Sequence, residues 1–147
     1  MAKQINNKQI YLIVSHHISH FLNVKKLVKH DYESHMILLT AYTHFLFQTM
    51  SKGKSLDWTE TFARIETEGH KLLMLERKLT IFAVSENLLI PQETVRRKLK
   101  VLCKRKLLEY SIKEGLSLGE KFRETIEPLG KADGKDIFAL IEKFKKA

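Results

Sequence analysis

The stretch TIFAVSENLLIPQETVRRKLKVLCKRKLLEYSIKEGLSLGE, residues 80–120, decides how this chain is read. It opens on Thr80, whose hydroxyl suits the cap of a short helix with Ile81, Val84 and Leu88 on one side. Leu89 and Ile90 make a brief turn. Pro91 then suits the first position of a second helix, where its missing N–H has no intrahelical partner anyway. That helix, PQETVRRKLKVLCKRK, places Val95, Leu99, Leu102 and Lys106 on one stripe. Gln92, Glu93, Arg96, Arg97 and Lys100 fall on the other side or its margins. The pattern then changes period. Residues 107–112 read as a strand, Lys113-Glu114-Gly115 as a tight turn, and residues 116–118 as the returning strand.

Outward from this block the chain reads as helices. On the N-terminal side, Asn7 is expected to cap a helix running to about Lys29, with Ile10, Ile13, Val14, His17, Phe21 and Val24 at helical spacing. Asp31 is expected to cap a second helix reaching Met50. Its apolar positions run almost around the circumference: Tyr32, Met36, Leu39, Thr43 and Phe47 on one face, and Ile37, Leu38, Ala41, Phe45 and Leu46 over much of the rest. Such a helix is buried from more than one side, and in a chain this small a partner subunit is the expected second cover. Residues 51–55, SKGKS, read as a loop. Asp57 and Glu60 form a capping-box pattern for a third helix with Trp58, Phe62, Ile65, Leu72 and Leu73 on its apolar side, interrupted at Gly69. On the C-terminal side, Gly119 and Glu120 begin a helix expected to end near Pro128. A last one follows Asp133 with Ile137, Phe138, Leu140, Ile141 and Phe144 as its apolar side.

The 147 residues suggest one compact domain or two small ones sharing a core, with enough chain to fold without a metal or disulfide. The single cysteine, Cys103, leaves no intramolecular disulfide and no CxxC motif, which fits a reducing compartment. No signal-like N-terminal segment is evident, and the longest apolar run, residues 36–50, is too short to span a bilayer. A cytoplasmic protein without a membrane partner is therefore expected. Charge is unevenly placed. Residues 1–79 hold 11 cations and 7 acids, a net of +4; residues 80–123 hold 10 and 5, a net of +5; residues 124–147 hold 5 of each. Arg96, Arg97, Lys98, Lys100, Lys104, Arg105 and Lys106 crowd into one run with no acid among them. An excess of this kind suits an anionic partner, most simply nucleic acid.

Helix, short turn, basic helix and hairpin together resemble a winged helix-turn-helix domain. The residues that carry the likeness are P-x-E-T-V-R-R-K-L-K-x-L from Pro91 to Leu102, then Lys104 with Leu107-Leu108, then the Leu116-Ser117-Leu118-Gly119 exit. They are similar to bacterial regulators of the multiple-antibiotic-resistance (MarR) type and related short-winged transcription factors. About 45 residues carry the resemblance; the flanking helices share only its architecture, which in that family builds the dimer. It implies a mainly α fold with a small β-hairpin, and three regions: 1–79 for dimerisation, 80–127 for DNA binding, and 128–147 as a C-terminal helix. It also implies a sequence-specific regulator of double-stranded DNA acting as a homodimer, with a recognition helix at about 91–106 in the major groove.

By the resemblance, Gln92, Thr94, Arg96 and Arg97 are the candidate readers of base edges and Lys98, Lys100 and Lys104 the candidate phosphate contacts. Lys113 at the hairpin tip is expected to approach an adjacent phosphate or minor groove. The hairpin SIKEGLS is shorter than the family's wing and lacks its Asp-Arg pair, so the recognition helix is expected to carry most of the specificity.

Other constellations are weaker. His16 and His20 are four apart, as zinc ligands on a helix sometimes are, but no carboxylate accompanies them in that helix and no HExxH pattern exists; His35 and His44 are nine apart. A metal-responsive regulator using the N-terminal histidines is thus an alternative, as is a protein-interaction module whose basic helix meets an acidic partner. Metal and cofactor are expected to be absent. Cys103 beside Lys104 and Arg105 reads as a packed small hydrophobe before a redox sensor. Tyr32, Tyr42, Phe45, Phe47, Trp58 and Phe62 read as core before an effector pocket, and the effector, if one exists, is unnamed. No nucleophile elbow, phosphate-cradling glycine loop or paired carboxylates are found, so no enzyme activity is expected.

Overall fold

The computed structural model describes residues 3–51 and 78–147. The expected loop beyond Ser51, the third helix with its capping box, and Gly69 lie outside the described residues. The described chain is mainly helical with one small antiparallel hairpin. Its elements are α1 (Asn7–Asn23), a π-helical turn (Val24–Val28), α2 (Tyr32–Ser51), α3 (Ile81–Leu88), α4 (Gln92–Lys104), β1 (Leu108–Ser111), β2 (Gly115–Leu118) and α5 (Phe122–Lys146). They fall into two compact units: Met1–Asp31 with Glu124–Ala147, and Tyr32–Arg123. Helix α2, expected with the N-terminal region, therefore groups with α3, α4 and the hairpin.

In the unit Tyr32–Arg123, α2 lies against α4, α3 and β2, and α4 also touches α3 and β1. Its buried side chains include Ile37, Leu38, Ala41 and Tyr42 of α2, Val84 of α3, Val95, Leu99 and Leu102 of α4, Leu108, Leu116 and Leu118 of the hairpin, and Phe122. Tyr42 and Phe122 meet with ring centroids 5.0 Å apart and planes tilted by 52°, an arrangement aromatic pairs favour. Burial on this scale, at about 1.5–3 kcal/mol for each large apolar side chain, is what drives the unit together. The circumferential burial expected of α2 is not complete. Ile37, Leu38, Ala41 and Phe45 are covered, whereas Tyr32, Thr43 and Phe47 on the other face are open.

The hairpin pairs Leu108 with Leu118, Glu109 with Ser117, Tyr110 with Leu116, and Ser111 with Gly115. Leu79 adds a single antiparallel bridge to Leu116, whose N–H donates to the Leu79 carbonyl at 2.8 Å. Two glycines permit this closeness. Gly115 has φ +75°, and a Cβ there would sit 2.5 Å from the Leu79 carbonyl oxygen; a Cβ on Gly119 would sit 2.2 Å from that of Lys106. Gly119 N–H bonds instead to the Leu107 carbonyl at 2.9 Å, closing the exit of the hairpin onto its entrance.

In the other unit the cap of α1 is Asn6 rather than the expected Asn7. The Asn6 side chain accepts from Gln9 N–H at 2.9 Å and the Gln9 side chain accepts from Asn6 N–H at 3.1 Å, a reciprocal box that Asn7 could not make in this register. The helical path ends near the expected place, through the π-helical turn to Lys29 in the left-handed conformation at φ 58°. Helix α5 runs antiparallel to α1. The Asn6 amide donates to the Ala147 carbonyl at 3.2 Å, His20 Nδ1 meets Asp133 Oδ2 at 2.8 Å, and the Asn23 amide donates to Asp136 Oδ2 at 3.2 Å.

The expectation of two C-terminal helices separated by Pro128 is wrong. A single helix passes through Pro128, and Asp133 stands inside it as the partner of His20 rather than as a cap. An interior proline costs about 3 kcal/mol. Ile126 and Leu129, both buried beside it, and the polar bonds to α1 offset that cost.

Candidate nucleic-acid interface

Helices α3 and α4 are set by a three-residue turn, and each part has a local cause. The Thr80 hydroxyl accepts from Ala83 N–H at 3.1 Å, fixing the start of α3 as its sequence predicts. Leu89 ends α3 in the left-handed conformation at φ 54°, and its side chain is 90% exposed. The Ser85 hydroxyl donates to the Ile90 carbonyl, tying the turn back to α3. Pro91 stands one position earlier than expected. It is the N-cap, with ψ 142°, and its carbonyl receives the first intrahelical bond, from Val95 N–H at 3.0 Å. Val95, Leu99 and Leu102 are buried, which fixes the rotation of α4 about its axis.

That rotation sorts the candidate contacts. Gln92, Arg96, Arg97, Lys100 and Lys104 are exposed. Stepping 100° per residue, Lys100, Lys104 and Arg97 lie opposite the buried stripe and Arg96 at its margin on the same side. Arg96 is held by an exposed ion pair to Glu93 at 2.8 Å, a bond worth a fraction of a kcal/mol and readily exchanged for another anion. Lys113 is exposed at the hairpin tip, where Glu114 N–H donates to the Ser111 hydroxyl at 3.0 Å.

Thr94 and Lys98 lie elsewhere. Both are half-buried, and the Lys98 side chain is 16% exposed with Nζ 3.8 Å from a carboxylate oxygen of Glu33 on α2. A signal for this was present in the spacing. Lys98 follows Val95 by three and precedes Leu102 by four, so it lies on the buried stripe rather than opposite it. Lys106, placed on that stripe by its spacing, is instead beyond the helix in the left-handed conformation at φ 60°. Its ammonium meets Glu120 at 2.9 Å. The hydrogen bond and the opposite charge raise the Lys106 pKa and lower that of Glu120, so both stay ionised well beyond neutral pH.

Sequence reasoning did not find the hollow beside the cationic face. A cavity of about 550 Å³ opens between α4, the hairpin and the start of α3, lined by Ile81, Leu99, Tyr110 and Ile112, with Cys103, Arg96 and Lys100 completing it. Burial pushes the Cys103 thiol up, and the nearby Glu109 carboxylate adds to the shift. That direction disfavours the thiolate a redox sensor needs.

Among the described residues no cluster of three or more histidine, cysteine, aspartate or glutamate side chains could hold a metal ion. His20 is engaged with Asp133, and His16 and His17 have ring centroids 6.4 Å apart. No helix among the described residues is long and apolar enough to cross a membrane. No family model, curated protein or solved structure matches the chain.

Proposed function

We propose that this chain is a winged helix-turn-helix regulator that binds double-stranded DNA with α4 in the major groove and acts as a homodimer, without enzymatic activity. One observation carries the reading. Four cations, Arg96, Arg97, Lys100 and Lys104, stand exposed on one side of a helix whose opposite side is locked into the core. A helix so mounted presents charge to phosphates and arginine forks to guanine edges without reorganising. The hairpin beside it, bridged by Leu79, supports reading it as a wing. Thr94 and Lys98 are not among the proposed contacts; Gln92 and the four cations are, with Lys113 as the contact from the hairpin.

The homodimer rests on apolar surface left open. Helix α1 buries no residue, while Ile10, Val14 and Ile18 recur at four-residue spacing on its exposed surface. Ile137, Phe138 and Ile141 are exposed on α5, with Phe138 at 74%. Contiguous apolar surface of this kind marks an interaction site. A two-fold dimer would offer two copies of α4 to a pseudo-palindromic site.

Fluorescence anisotropy against genomic and random duplexes, across a salt series, tests the reading. A preference of about 10³ or more for some genomic fragment, lost on Arg96→Ala with Arg97→Ala, is the expected result. Equal binding to all duplexes with a steep salt slope would make the protein a non-specific architectural one. No binding at low salt would turn the cationic helix toward an acidic protein partner.

A further inference from the structure

One acid stands among the cations of α4. Stepping about 100° per residue from Val95, Glu93 falls about 160° away, between Lys100 at about 140° and Lys104 at about 180°. Glu93 is thus in the first turn, on the side opposite the buried stripe, and its side chain is 86% exposed. Arg96 Nη1 donates to its Oε1 at 2.8 Å. Among the described residues Glu93 has no second polar partner, so Oε2 is left to accept.

A carboxylate at this place opposes every phosphate contact that the four cations make. It gains only where a donor is presented to it. In the major groove the donors are the amino groups at cytosine N4 and adenine N6, whereas the polar groups of guanine and thymine there are acceptors. Adenine sets its N7 acceptor beside N6, and an ionised carboxylate has no hydrogen to give it. Cytosine has no acceptor beside N4 in the groove, so cytosine is the base that a carboxylate fits.

We propose, resting on the DNA-binding reading of α4, that Glu93 is a specificity-determining residue that accepts from the N4 amino group of a cytosine, while its ion pair holds Arg96 for a guanine beside it. Each side chain then enters the groove with less rotamer freedom to lose. The carboxylate also penalises any sequence that lacks the donor, so discrimination comes from repulsion as well as attraction.

The full-length protein is first used to select duplexes from a library with a randomised core. The preferred duplex is then remade with each cytosine in turn as N4-methylcytosine, which still pairs with guanine but has lost the amino hydrogen that faces the major groove. At least one such position is expected to weaken wild-type binding about tenfold, the equivalent of 1.4 kcal/mol. Glu93→Ala should bind that methylated duplex and its unmethylated parent equally, and should hold random duplex more tightly than the wild type does. Glu93→Gln, put through the same selection, should change the preference at that position from cytosine to adenine, whose N6 and N7 an amide meets together.

Equal wild-type affinity for every methylated duplex overturns the cytosine contact, as does a Glu93→Gln selection unchanged at every position. If Glu93→Ala loses discrimination at a guanine and at no cytosine, the carboxylate only positions Arg96 and the cytosine contact fails. Duplex binding with no selected sequence overturns the contact and leaves DNA binding standing. No duplex binding at all removes the DNA reading and the contact together.

Discussion

A methyl group on Gly119 would lie 2.2 Å from the Lys106 carbonyl oxygen and 2.6 Å from its carbon, and both are backbone atoms that cannot swing away. Gly119→Ala is therefore expected to destabilise the fold by about 1–3 kcal/mol, the usual cost of overpacking. Gly134 is the opposite case. A Cβ there meets nothing within 4 Å, and the residue sits inside α5. Gly134→Ala should stabilise by about 0.5–1 kcal/mol, because alanine has less freedom to lose in a helix. Urea titration of both variants checks the pair, and a Gly119→Ala protein as stable as wild type would mean that the hairpin exit is not packed as described. The Cys103 thiol yields a second residue-scale prediction. Burial and Glu109 both raise its pKa, so the thiolate population at pH 7 falls below that of an open cysteine. Maleimide labelling should be slower than that of free cysteine at pH 7 and should climb with pH beyond the point where free cysteine levels off. Glu109→Gln should move that rise to lower pH. Labelling faster than free cysteine at pH 7 would restore the sensor reading.

Helix α4 divides its lysines and arginines into two kinds. Arg97→Gln should lower duplex affinity and reduce the slope of log K against log salt by about 1, as expected when a single phosphate loses its cation. Lys98→Gln should leave that slope unchanged, since its ammonium lies toward Glu33. Equal slopes for the two variants would show that the helix meets DNA by a different side. Much of this region is legible in the sequence. The Thr80 cap, the turn at Leu89-Ile90, the Val95-Leu99-Leu102 stripe and the strand pair all follow from short-range chemistry that acts within a few residues. At Lys98 charge and spacing point different ways, and the spacing, which puts it on the buried stripe, agrees with its half-burial near Glu33. The continuity of α5 was hidden for a different reason. Proline is a reliable local breaker, and only tertiary burial of Ile126 and Leu129, together with His20 bonding to Asp133, overrides it. The Leu79 bridge and the cavity beside α4 arise from residues far apart in sequence, where pattern has no reach.

At the scale of the molecule, the open apolar side chains of α1 and α5 predict concentration-dependent association. Sedimentation of the wild type is expected to give a dimer, and Ile18→Glu with Phe138→Glu a folded monomer with unchanged far-ultraviolet circular dichroism. A wild type that stays monomeric at high concentration would remove the homodimer from the proposal. The Leu79–Leu116 bridge has a kinetic consequence. It joins positions 37 apart (116 − 79), with two helices and a strand between them. The β1–β2 hairpin is local and of a kind that forms in about 1–10 μs, but the bridge must wait until α3 and α4 have closed the longer loop. Refolding should therefore complete the hairpin before Leu79 docks, and native-state fluctuations should undo them in the reverse order. The Leu116 amide, bound to the Leu79 carbonyl rather than to its hairpin neighbour, becomes a natural clock for that opening. Its hydrogen exchange should report the departure of the strand edge at a lower free energy than the exchange of the amides buried along α4.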